Sequence, residues 1–196
     1  MGQKTPYSTL PKLPPKTSAV ETLATLKVNG KAAAALAELK GIAKTIPNQE
    51  ILINAIVLQE SKDSSEIENI VTTNDELYKA LTLKKDNSSP QTKEVVNYRK
   101  AILFGSKLLK EQGFIRVNDI LQIQELLVDN SAGIRSTPGT VLKNDKTGEI
   151  VYIPPQDKEE ILHLLDNFID HFHAQNNTPG LINLAILHFQ FESIHP

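Results

Sequence analysis

Between Lys31 and Ile194 apolar side chains recur every three or four residues, and the rhythm breaks at one stretch, Arg135–Pro155. Stripes at that spacing bury themselves only by packing helix on helix, so the expected fold is mainly α. Gly, Pro and Asn punctuate the pattern and predict helices near 31–44, 48–67, 74–84, 91–112, 117–129, 157–175 and 179–194. Ile161, Leu165, Phe168 and Phe172 form a core-facing band, widened by Leu164 and Ile169. The last helix carries Leu184, Leu187, His188 and Phe191 on one stripe and Ile186, Phe189 and Ile194 off it. Apolar on all sides, it is expected to be central and largely buried. The interruption, RSTPGTVLKNDKTGEIVYIPP, has two short β-rich runs around NDKTGE and predicts one β-hairpin that leans on the helices.

A chain of 196 residues buries roughly 70% of the surface it exposes unfolded, enough for a core without metal or disulfide staples. The absence of cysteine excludes disulfides, thiolate metal sites, iron–sulfur clusters and a cysteine nucleophile. With 21 basic against 23 acidic side chains, and only Arg99, Arg116 and Arg135 as arginines, no clustered basic face is expected and nucleic acid is not a partner. No apolar run reaches the length of a membrane span, and MGQKTPYSTLPKLPPKTS has no signal-peptide core. Pro6 stands where a myristoylation motif needs Ser or Thr, so no lipid anchor or membrane association is expected and the location read is cytoplasmic. Four of the eleven prolines fall in the first 18 residues, which predicts an extended arm packed along its own domain rather than a ligand for a proline-recognising module.

All five histidines, His163, His171, His173, His188 and His195, lie in the last 34 residues. Their spacing gives no metal set, because His171 and His173 are two apart and point to different helix faces. Residues 157–196 carry six acids against Lys158 alone, so this segment by itself repels phosphates. The sequence stops at FESIHP in mid-pattern, as though cut. In SSEIEN, Ser64 and Glu68 share a helical face at i, i+4, and Asn69 is a good helix terminator. Taken alone this is an exposed, charged helix end.

Three of these segments, in this order, resemble the Fic family of adenylyltransferases, in the class whose inhibitory helix precedes the core. Ser64–Asn69 fits the inhibitory motif [ST]xxxE[GN], GTVLKNDKTGEIVYIPPQ resembles the flap hairpin, and ILHFQFESIHP resembles the approach to the signature HPFxxGNGRxxR with its first two residues. The PKLPP arm is usual in such proteins. The resemblance implies a Fic-type helical bundle with one β-hairpin flap, divided into an arm (1–30), a helical region with the inhibitory motif (31–90) and a Fic core (91–196). The core is incomplete, since the remainder of the signature would follow Pro196.

The implied chemistry is transfer of AMP from ATP to a hydroxyl, with Mg²⁺ bridging the phosphates. His195 would be the general base, since an imidazole accepts a proton near neutral pH. Glu68 would be the brake, pairing with the second signature arginine and denying it to the γ-phosphate. Ser64 would orient the helix end and Asn69 would terminate it. Val151, Tyr152 and Ile153 would form the flap edge, to which an extended target segment adds as a strand. The partners implied are a target protein presenting a Ser, Thr or Tyr hydroxyl and a second copy in a homodimer. Two alternatives share this fold: a non-catalytic regulatory or interaction module, and a Fic transferase using another donor.

Overall fold

Helices in this chain start and stop where the sequence supplies groups to close them. The computed structural model describes residues 7–83 and 89–195, without the side chains of Glu50 and Leu83. Pro196, the first six residues of the arm and the end of the helix expected over 74–84 lie outside the described residues. Asn48 opens α3 (Gln49–Ile67) by accepting the Ile51 N–H at 3.3 Å. Ser89 opens α5 (Pro90–Gln112) by accepting the Thr92 N–H at 3.2 Å, with Pro90 at the first helical position. Gly113 closes α5 at φ +74°. Asp157 opens α7 (Lys158–His173) by accepting the N–H groups of Glu159 and Glu160. With α1 (Thr17–Val20), α2 (Leu23–Ala43), α4 (Asn74–Leu83), α6 (Val117–Val128) and α8 (Gly180–Ile194), the described residues form eight helices and one two-stranded sheet. The mainly α class with a single hairpin is what the periodicity implied.

Two expectations need correction. The second helix begins at Leu23, not Lys31, so part of the stretch read as arm is helical. Thr22 is the reason: its hydroxyl accepts the Thr25 N–H and its carbonyl the Leu26 N–H. Asn29 and Gly30, read as a boundary, sit inside the helix, where a glycine costs only about 1 kcal/mol. The last helix is also not buried all round. Ile182, Leu187, Gln190 and Ile194 are buried, but Leu184 and Phe189 are 61% and 62% exposed. Apolar character on every side does not by itself supply a neighbour on every side.

The chain divides into two units, Gly41–Gly133 and Met1–Lys40 with Ile134–Pro196. In the first, α5 packs against α3, α4 and α6. Gly105 lets α6 approach closely, since a Cβ there would stand 3.2 Å from Ile123 Cδ1. Buried Thr72 and Thr92 join their hydroxyls at 2.8 Å, and Arg99 on α5 donates to Asn54 on α3 at 2.8 Å. In the second unit, α7 packs on α8, with the Phe168 and Phe191 rings 5.7 Å apart and Ile161, Leu164 and Leu165 of α7 and Leu187 and Ile194 of α8 all buried. His171 joins this interface, its Nε2 2.9 Å from Asn183 Oδ1, while Phe172 at the band's end is 38% exposed. Among the described residues no helix is long and apolar enough to cross a membrane.

Asp119, 1% exposed, closes the start of α6. It accepts the Arg116 backbone N–H at 2.8 Å and both arms of its guanidinium at 3.2 Å. Hydrogen bonding from Arg116 holds its carboxyl below the usual carboxylate range. A carboxyl depressed on folding contributes stability that is full above its unfolded pKa, about 4, and lost as pH falls through the folded value. Asp119→Asn is therefore expected to destabilise the chain at pH 7 by about 1–3 kcal/mol and to flatten the acid limb of its stability profile. Urea unfolding from pH 7 to pH 2 measures both.

Candidate active site

His195 stands at the C-terminal end of α8 in the left-handed conformation (φ 47°, ψ 60°), its N–H donating to Phe191 O at 3.1 Å. A helix end leaves its last carbonyls without intrahelical partners. Here the hairpin segment supplies them. The Tyr152 hydroxyl donates to Ser193 O at 2.6 Å. The Arg135 guanidinium donates to His195 O at 2.9 Å, to Ile194 O at 3.3 Å and to Pro155 O. The backbone that carries the exposed imidazole is thus tied to both ends of the 135–155 segment. Burial pushes the Tyr152 hydroxyl pKa up, helped by Tyr7 and opposed by Arg135. Burial likewise draws the Arg135 guanidinium down from its ordinary value, though an arginine stays cationic.

Arg135 is the residue the sequence reading passed over, counting it only among three arginines. The one available signal was an arginine at the root of a hairpin in a lysine-rich chain, where a fork of donors does what an ammonium cannot. Arg135→Ala is expected to lower the unfolding free energy by about 2–3 kcal/mol, with Arg135→Lys recovering less than half. Thermal and urea unfolding test this.

The hairpin pairs β1 (Leu142–Lys143) antiparallel with β2 (Ile150–Tyr152), Leu142 opposite Tyr152. Asn144 shapes the tip by accepting the N–H groups of Lys146 and Thr147, and Gly148 takes φ +68°. Gln156 closes the base, accepting from Gly139 N–H at 2.6 Å and donating to Thr140 O at 2.9 Å. Val151 is exposed and Tyr152 and Ile153 are half-buried. The outer edge of β2 is already engaged. The Tyr7 N–H donates to Val151 O at 3.4 Å, the Ile153 N–H donates to Tyr7 O at 2.9 Å, and the Tyr7 and Tyr152 rings stack 5.9 Å apart.

Ser64, Glu68 and Asn69 lie together at the end of α3, in the other unit. The Asn69 N–H donates to Glu66 O at 3.0 Å and the Ile70 N–H to Ser65 O at 2.9 Å, the paired bonds of a Schellman turn. Asn69 occupies its left-handed position at φ 64°. Only Gly, Asn and a few other residues enter that region cheaply, which gives the Gly-or-Asn rule of the motif a backbone cause. The Ser64 hydroxyl donates back to Glu60 Oε1 at 2.8 Å. The Glu68 carboxylate is exposed, without a hydrogen-bond or ion-pair partner among the described residues. It lines an open cleft of about 500 Å³ with Ser64, Lys93, Asn97 and Tyr98.

The end of α8 presents carbonyl oxygens, not the N–H groups that cradle phosphates at a helix start. Among the described residues no three His, Asp or Glu side chains gather closely enough to hold a metal ion. The end of α8 by itself therefore does not form a phosphate cradle. Against protein-family models, the chain matches the Fic/DOC family N-terminal model over residues 26–107 and the Fic/DOC family model over residues 114–196.

Proposed function

The chain belongs to the Fic/DOC family, whose domain generally transfers nucleoside monophosphate to proteins, and from that premise we propose a protein adenylyltransferase restrained by Glu68. The observation that most supports this reading is the coupling of His195 to the hairpin through Tyr152 and Arg135. A base must lie within hydrogen-bond reach of the hydroxyl it deprotonates, and a flap tied to the base's own backbone can present that hydroxyl in a fixed place.

On this reading the target's Ser, Thr or Tyr oxygen attacks the α-phosphorus of ATP in line. The new O–P bond forms as the bond to the β-phosphate oxygen breaks, pyrophosphate leaves and the hydroxyl proton passes to the His195 imidazole. The partially exposed Val151–Ile153 edge receives the target segment by strand addition. Glu68 restrains the reaction by pairing with an arginine that the γ-phosphate would otherwise use. The exposed carboxylate at the end of α3 is available for such a contact.

The test is a donor panel of ATP labelled at the α- or γ-phosphate, α-labelled UTP and labelled CDP-choline, on the protein continued through the signature. Protein labelling from α-labelled ATP alone supports AMP transfer. Labelling from another donor replaces the donor, and labelling from none favours an interaction module.

A further inference from the structure

A sheet edge offers backbone donors and acceptors to any extended segment that reaches it, and the outer edge of β2 already holds one. The arm crosses it at Tyr7, in parallel pairing with Tyr152. Tyr7 uses the Val151 carbonyl and the Ile153 N–H, the edge groups that strand addition of a target would need. Farther along, the arm is pinned twice. Gln190, 2% exposed on α8, donates to Pro11 O at 3.0 Å. Asn167 on α7 accepts the Leu13 N–H at 2.7 Å and donates to Leu13 O at 3.0 Å.

These two parts of the arm are held unequally. Leu13 and Pro11 bond to side chains on packed helices, whereas Tyr7 is 52% exposed and one of its two backbone bonds is long. Ser8 and Thr9 between them are exposed. The tip can therefore lift while the root stays fixed.

We infer that the Tyr7–Leu13 arm is a tethered strap: its tip occupies the flap's docking edge and must leave before a target segment can add there. The inference rests on the reading of β2 as the target-docking edge. A tether this short holds the tip at a roughly millimolar effective concentration, so an incoming segment competes with a permanent local rival. The partner that fits the vacated edge is an extended segment running parallel to β2, with an aromatic residue opposite Tyr152 to replace the stacked ring.

The probe is a synthetic peptide of this chain's own sequence TPYSTL, titrated into the ¹⁵N-labelled 196-residue chain while the Val151 and Ile153 amide signals are followed. Tyr7→Pro removes the N–H that reaches Val151 and the ring on Tyr152. Tyr7→Gly removes the ring alone and provides a second release variant, and Tyr7→Phe keeps both contacts. The Pro variant is expected to bind the peptide about tenfold more tightly than wild type, the Gly variant to lie between them, and the Phe variant to match wild type. Equal affinity in all four chains, or no response at Ile153 in any, overturns the strap. No nucleotide is involved, so a protein that never transfers AMP still answers this question, and the donor panel fails or succeeds separately.

Discussion

His195→Ala, in a protein continued through the signature, is expected to lower AMP transfer about 10²–10⁴-fold while ATP affinity stays within about twofold. The loss has the size of a removed general base. Binding is spared because the end of α8 offers no N–H groups to phosphate, so the groups that hold ATP lie elsewhere. One complication follows from the backbone: His195 sits at φ 47°, where alanine costs roughly 1–2 kcal/mol. His195→Asn resolves it, since asparagine tolerates that conformation but accepts no proton. Both variants should fall together. If the asparagine variant keeps near-normal turnover, the histidine is there for its backbone and general-base catalysis by His195 is rejected.

Glu68 is expected to move activity the other way. In the same protein, Glu68→Gly should raise self-labelling by roughly ten- to a hundredfold, the equivalent of losing a charge-assisted contact of about 1.5–3 kcal/mol. The end of α3 makes the experiment clean. That end is closed by backbone bonds from Asn69 and Ile70, not by the Glu68 side chain. Glu68→Gln should therefore leave the helix intact and change stability by less than about 0.5 kcal/mol while removing the charge. Raised labelling in both variants, with unchanged unfolding, supports the brake. Unchanged labelling in both, with ATP binding retained, makes Glu68 a solvated helix-end residue.

Local features were legible in the sequence. Asn48 could be read as a helix start and NDKTGE as a hairpin tip because a cap or a turn acts over two or three residues; Ser89 and Asp157 cap α5 and α7 over the same short range, though the punctuation used, Gly, Pro and Asn, does not include them. Asn69 could be read as a terminator from residue type alone, and its left-handed backbone follows. Long-range features were not legible. Arg135 reaches His195 across 60 residues, and Tyr7 meets Tyr152 from the other end of the chain. No periodicity encodes such a meeting. The start of α2 was misplaced for a different reason: Gly30 looked like punctuation, and Thr22, a weaker signal, decided. The exposure of Leu184 and Phe189 belongs with the long-range features, since burial depends on what packs alongside.

The guanidinium at the end of α8 also offsets the helix's own negative pole. A 15-residue helix carries about half a negative charge at its C-terminus, the pole at which His195 stands. An anionic donor brought to that histidine would be repelled by the scaffold that positions it. Arg135 places a full positive charge against the carbonyls of Ile194 and His195, in a partly buried setting where solvent screens it less than at an open surface. The unit charge outweighs the half charge of the dipole, so the guanidinium cancels the helix's own negative pole and leaves the exposed Glu192 of the last turn as the remaining anion on α8 there.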